Sequence, residues 1–237
     1  MSNLDNLMVV NMYDLSHTKA AGLLNSVTYP WEALPKIKDY ILELGARIDA
    51  EIAGSEGKDS DYIKRGDDVW IHKTAKVFDS AYIAGPCIIG ANTEVRQCAF
   101  IRGSALVGEN CVVGNSTELK NVIIFDNVQV PHYNYVGDSI LGYKSHMGAG
   151  SITSNVKSDK TLVAVKGHDQ YDDINIETGL KKFGAMLGDY VEVGCNSVLN
   201  PGSVIGRNTN IYPLSPVRGY IPENSIVKTG CVVVSKK

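Results

Sequence analysis

The chain has 237 residues, 44% of them apolar, with 23 lysines and arginines against 26 aspartates and glutamates and a formal charge of −3. That length holds one large domain or two small ones around a sizeable core, so a two-domain multifunctional enzyme is not expected. Acidic and basic residues are interspersed, which excludes a basic stripe for nucleic acid or an anionic membrane and leaves small molecules and proteins as partners.

At the start of the chain, residues 1–13 carry no basic leader or small-residue cleavage site. No apolar run approaches the ~18 residues that span a bilayer. The expectation is a soluble, cytoplasmic chain. Five cysteines, Cys87, Cys98, Cys111, Cys195 and Cys231, form no CxxC pair, and an odd count without a secretion signal argues for reduced thiols. Residues 1–29 show no clear period, and His17 among them reads as a surface or structural residue. Pro30, Trp31, Leu34, Ile37, Ile41, Leu44 and Ile48 then recur at three-to-four spacing, which predicts an amphipathic α-helix over 30–52. Residues 54–60, with glycines and charges, read as a linker. The expected division is therefore an N-terminal segment over 1–60, its helix capping the first coil, and a second unit over 61–237.

That second unit has a period of six. Ile71, Val77, Ile83, Ile89, Val95, Ile101, Val107, Val113, Leu119 and Phe125 follow one another without a miss, and the period resumes at Leu187, Val193, Leu199, Ile205, Ile211 and Val217. Four places after the early anchors stand small residues, among them Ala75, Ala81, Cys87, Thr93, Ala99, Ala105, Cys111 and Thr117. Each six-residue unit is a short strand plus a turn, and three units close a triangular coil of about 18 residues. The prediction is a mainly β protein, a parallel β-helix of hexapeptide repeats, in which Cys87 and Cys111 are small core residues. Gly90, Gly108, Gly114, Gly188, Gly194 and Gly206 follow anchors and are expected to supply positive φ in the turns. Residues 156–184 break the period and read as one long loop thrown out from a corner, and long loops on regular scaffolds are usually functional.

Polar residues accumulate between Arg102 and Lys160: Arg102, Glu118, Lys120, His132, Tyr135, His146, Asn155 and Lys160. Around His132 the six-residue register is interrupted, and broken local rules are expected at sites. The segment His132-Tyr133-Asn134-Tyr135-Val136-Gly137-Asp138 resembles the His-x-x-Tyr-x-Gly-Asp motif of the acetyltransferase domain of bifunctional N-acetylglucosamine-1-phosphate uridyltransferase/glucosamine-1-phosphate acetyltransferases. The resemblance covers about half the chain and implies a left-handed coil, a homotrimer with sites between subunits, and acetyl-CoA or another acyl-CoA as co-substrate. By motif, His132 would be the general base. Glu118 and Lys120 resemble the family's Glu-x-Lys pair, and Arg102 its phosphate-binding arginine. Tyr135 and Asn155 resemble substrate contacts, as does Lys160, one residue displaced.

Departures accompany the matches. The uridyltransferase domain has no counterpart, and His146 stands where the family has a substrate-contacting asparagine. On the CoA side Cys195 replaces a serine and Tyr212-Pro213 replace small residues. Gly230 stands at the position of the arginine that meets the CoA 3′-phosphate, which leaves Arg218, Lys228 or Lys236 to substitute. Spacing agrees with the clamp, because residues 18 apart stack on one face and Arg102 and Lys120 would oppose a phosphate as two cations. Glu118 would orient His132, whose imidazole suits a base near neutral pH.

The leading expectation is a CoA-dependent acyltransferase acting on an amino-sugar phosphate or nucleotide amino sugar. A non-catalytic sugar-nucleotide-binding or scaffold β-helix is the alternative. A γ-carbonic-anhydrase-type zinc enzyme shares the architecture but needs closely spaced histidines, whereas His132, His146 and His72 are far apart, so no metal is expected.

Overall fold

The structure, a computed structural model, describes residues 3–54, 60–228 and 232–236. Most of the 54–60 linker, together with Gly230 and Cys231, lies outside the described residues. From Val69 onward the chain winds into a parallel β-solenoid with three faces. On the first face Ile71, Ile89, Val107, Ile124, Leu141, Leu187, Ile205 and Ile221 lie in one register. The second carries Val77, Val95, Val113 and Val130, then Met147, Val193, Ile211 and Val227. Ile83, Ile101, Leu119 and Val136, then Thr153, Leu199 and Val217, fill the third. From Ile89 on all of these are buried. They are the six-residue anchors, and each large aliphatic taken fully out of water contributes roughly 1.5–3 kcal/mol.

The register corrects the sequence reading in three places. The tenth anchor is Ile124, not Phe125: Ile124 pairs with Val107, one residue early. A second short step carries Val136 to Leu141. Both fall at the corner between the third and first faces, where Asn121 (φ 55°) and Asp138 (φ 47°) turn in the left-handed region. Phe125 is still buried, with its ring 5.1 Å from Tyr13. Around His132 itself the coil is regular, with His132 opposite Asn115. The third correction concerns the glycines. None of Gly90, Gly108, Gly114, Gly188, Gly194 and Gly206 has positive φ; the turns between first and second faces use Asn92, Asn110, Asn127, Asn208 and Asn224 instead, near 55°. Asparagine tolerates that conformation. The glycines are needed because the next coil is too close: a Cβ on Gly114 would lie 1.6 Å from the Pro131 carbonyl oxygen.

The N-terminal segment follows from an apolar stripe outside the helix. On the first face alone, the outward residues Trp70, Ile88, Leu106, Ile123, Ile140, Met186, Val204 and Tyr220 are also buried. Residues 3–54 cover much of this stripe. Asn3 bonds Asp173 beside the last coils (2.8 Å), and the Met12 and His17 carbonyls accept from the amides of Asp189 and Asp126. A 3₁₀ turn at Pro30–Lys36 then leads into the α-helix Ile37–Gly54, which packs on the first coil and runs beside the next three. Asp189 is the main tie. Its carboxylate accepts from the amides of Asp14 (2.7 Å) and Tyr143 (2.9 Å) and pairs with Arg207 (3.1 Å).

Residues 156–184 leave after the third face and carry an antiparallel pair, Ala164–Lys166 with Asn175–Glu177. Among the described residues, no helix is long and apolar enough to cross a membrane.

Burial sorts the cysteines. Cys87 and Cys111 are buried and Cys98 and Cys195 exposed. Burial raises the Cys87 thiol far above its ordinary range and pushes Cys111 up to about 12. A thiol reacts as its thiolate. Iodoacetamide at neutral pH is therefore expected to label Cys98 and Cys195 in the folded protein, and Cys87 and Cys111 only after denaturation, as read by peptide mass spectrometry.

Candidate active site

The outer surface of the third face carries the polar cluster. Its rungs present Phe100 and Arg102, then Glu118 and Lys120, then Tyr135 and Gly137, one above another. Arg102 and Lys120 therefore stack on neighbouring coils, as their spacing requires. They are not bare cations. Arg102 Nη1 lies 2.8 Å from Glu118 Oε1, and Lys120 Nζ lies 3.1 Å from Asp138 Oδ2. Glu118 is thus paired with Arg102, and His132 stands at the corner from which the Glu118 and Tyr135 rungs begin.

Asp138 is the hub that sequence reasoning passed over. Only 4% exposed, it accepts from Lys120, from Asn121 Nδ2 (2.9 Å) and from Asn155 Nδ2. The short step from Val136 to Leu141 puts it there, by turning the corner a residue early and folding its side chain back toward Lys120. Tyr135 completes the group. Its hydroxyl is hydrogen-bonded to Asn155, and burial, followed by the charges of Asp138 and Glu118, raises its pKa. The two pairs differ in worth. Arg102 and Glu118 are half exposed, and such pairs contribute little, so Arg102 is free to turn to a ligand anion. Lys120 is held in place. Asp138→Ala, which takes this acceptor from Lys120 and Asn155 and leaves Asn121 only the Leu34 carbonyl (3.2 Å), is expected to cost about 3 kcal/mol. The urea midpoint checks it.

His132 sits on the corner between the second and third faces, exposed, at the end of the strand Gln129–His132. Its position is fixed through the backbone. Its amide donates to Asn134 Oδ1 (3.1 Å), and the buried Asn134 amide donates in turn to Gly148 O (2.8 Å) and Ser151 O (3.1 Å) on the next coil. The same corner column continues down the helix. Gly150 N bonds His132 O, Asn196 N bonds Ala149 O, and Leu214 N bonds Cys195 O. His132, Cys195 and Pro213 accordingly share one edge, with Tyr212 beside them on the exposed surface. A cofactor lying along that edge would run from His132 toward the last coils.

Other candidates lie apart. His146 projects from the second face, with Nδ1 2.8 Å from Glu192 Oε2. Lys160 is exposed in the inserted segment. Arg218 follows Val217 at the third-to-first corner of a late coil, and Lys228 pairs with Val232 in the C-terminal hairpin. Among the described residues, no group of three or more His, Cys, Asp and Glu is arranged to hold a metal ion.

Residues 83–191 match the family described as the GMPPB C-terminal domain. The bifunctional protein GlmU of Methanococcus maripaludis strain C5 is 32% identical over 219 residues, covering 91% of this chain and 50% of that protein. Over most of its length the chain is thus similar to part of GlmU. GlmU of Methanocaldococcus jannaschii is 34% identical over 190 residues, 80% of this chain and 44% of its own length. The chain thus spans about half the length of the GlmU relatives it matches. Among solved structures, the acetyltransferase domain of PglB from Neisseria gonorrhoeae, in complex with acetyl coenzyme A, aligns with a TM-score of 0.38 and 16% identity over 69% of this chain and 55% of that one.

Proposed function

We propose that the chain transfers an acyl group from acetyl-CoA to the amine of a phosphorylated or nucleotide-linked amino sugar, as a homotrimer. The observation that carries this reading is the third face: Arg102, Lys120, Tyr135 and Asn155 gathered between the His132 edge and Asp138, in a chain similar to part of GlmU.

When bound, acetyl-CoA supplies the acyl group as a thioester. Arg102 turns from Glu118 to the acceptor's phosphate, and Lys120, held by Asp138, adds the second cation. Tyr135 and Asn155 orient the sugar. His132 takes the proton that the amine loses as its nitrogen bonds the carbonyl carbon and the C–S bond breaks, and returns a proton to the leaving thiolate. The exposed column of Cys195, Tyr212 and Pro213 offers an edge for the pantetheine arm. Facing His132 across a protomer boundary, a second copy would complete the site, so a monomer by light scattering contradicts this arrangement.

The test is acceptor-dependent thiol release from acetyl-CoA, with glucosamine 1-phosphate and with nucleotide-linked amino sugars. Release with one acceptor class supports the reading and names the substrate. No release with any, together with no rise in melting temperature at millimolar CoA, leaves a non-catalytic binding or scaffold role.

A further inference from the structure

The inserted segment 156–184 is built onto the solenoid. Val163, Val165, Ile174 and Phe183 are buried and join the main core, the Phe183 ring lying 5.8 Å from that of Trp31. The segment lies against two glycines of the late coils. A Cβ on Gly202 (φ +83°) would lie 2.8 Å from Val163 Cγ1, and one on Gly219 (φ +71°) would lie 2.3 Å from Lys166 O and 2.9 Å from His168 Nε2. His168 Nε2 is also 3.1 Å from the Arg218 carbonyl oxygen, to which its N–H donates. The chain can come this close only because those two positions carry no side chain.

Two cavities result. One, of about 440 Å³, is lined by Lys157, Lys166, His168 and Arg218, with Ser154 and Asn200. The one carboxylate on it, Asp159, is paired with Lys157 (3.5 Å). Lys166 and Arg218 have no ion-pair partner among the described residues. The other, of about 580 Å³, shares His168 and Arg218 and is walled by Tyr171, Tyr220, Pro216 and Val233. Tyr171 and Tyr220 meet edge to face at 5.2 Å. Lys166 and Arg218 thus stand without an ion-pair partner among the described residues, although Asp159 and Asp169 are near, beside a chamber walled in part by aromatic rings.

We propose that these two cavities form one site for a phosphorylated nucleoside, the base in the aromatic chamber and the phosphate between Lys166 and Arg218. A guanidinium and an ammonium with no protein partner suit a phosphate. An aromatic wall offers a base a surface to stack on or meet edge-on, and both volumes are of ligand size. The site stands on its own geometry; its natural occupant rests on the acyl-transfer reading, which supplies either the 3′-phosphorylated adenosine diphosphate of coenzyme A or the nucleoside diphosphate of a sugar nucleotide.

The experiment is isothermal titration of the full chain with adenosine 3′,5′-bisphosphate, with UDP and with inorganic phosphate. One nucleotide is expected to bind more tightly than phosphate, and Lys166→Glu and Arg218→Glu are each expected to weaken it at least tenfold without moving the melting temperature. Preference for the bisphosphate assigns coenzyme A, and preference for UDP a sugar nucleotide. Nucleotides that bind no better than phosphate overturn the proposal, as does binding indifferent to both charge reversals. Acetyl-CoA turnover with KM unchanged in both variants removes this site but leaves acyl transfer standing. Charge-sensitive nucleotide binding in a protein without turnover does the reverse.

Discussion

His132→Ala is expected to lower acceptor-dependent turnover by about 10²–10⁴-fold, the usual worth of a positioned general base, while leaving CoA binding and the melting temperature unchanged. The imidazole is exposed, and its side chain has no hydrogen bond among the described residues. The corner is held by other atoms, through Asn134 and the coil below. Removing the ring therefore leaves the fold within about 0.5 kcal/mol, as for other surface substitutions. Turnover retained in the variant would remove His132 from the chemistry. A lower melting temperature would instead assign it a structural role. The ratio of kcat to KM separates the two further, because a base acts on the reacting proton and its loss appears in kcat.

How much of this was legible depends on which way a side chain points. Inward residues face one another across a narrow prism, so their spacing is enforced and the anchors could be read by counting. Outward residues obey no common rule, because each face meets a different neighbour. The stripe from Trp70 to Tyr220 did leave a signal, since rungs such as Val69-Trp70-Ile71 and Cys87-Ile88-Ile89 are apolar at three successive positions where half-buried strands alternate. Asp138 was hidden for another reason. Its role comes from a step of five between anchors, and a one-residue shortening is invisible until the register of the neighbouring coil is known. Glycine was misread because two properties of the residue, permissive φ and absent Cβ, predict the same letter; the structure assigns the second at Gly114 and the first to asparagines. The insert's hairpin was missed because strands of three residues carry too little pattern to distinguish from loop.

The apolar stripe sets up the largest expected loss of stability. Trp70 is 1% exposed, and its indole fits where the helix Ile37–Gly54 has no side chain: a Cβ on Gly45 would lie 2.1 Å from the ring. Its Nε1 donates to Asp49 Oδ1 (2.8 Å), and Asp49 also pairs with Lys64 (2.7 Å). Trp70→Ala is expected to cost about 3–5 kcal/mol, the range for truncating a buried aromatic, and to lower the unfolding midpoint by on the order of 10 °C. The loss should be uneven. The coils keep their inward anchors, so the helix loosens before the solenoid does, and limited proteolysis is expected to cut first within 37–54. Gly45→Ala alone is destabilising, because its methyl meets the ring. In the Trp70→Ala background the same methyl enters the space the indole leaves. The double variant is therefore expected to be more stable than the two single losses sum to, by about 0.5–3 kcal/mol of coupling. Strict additivity in urea unfolding would show that the helix does not rest on Trp70, and that the stripe is covered by the rest of the N-terminal segment.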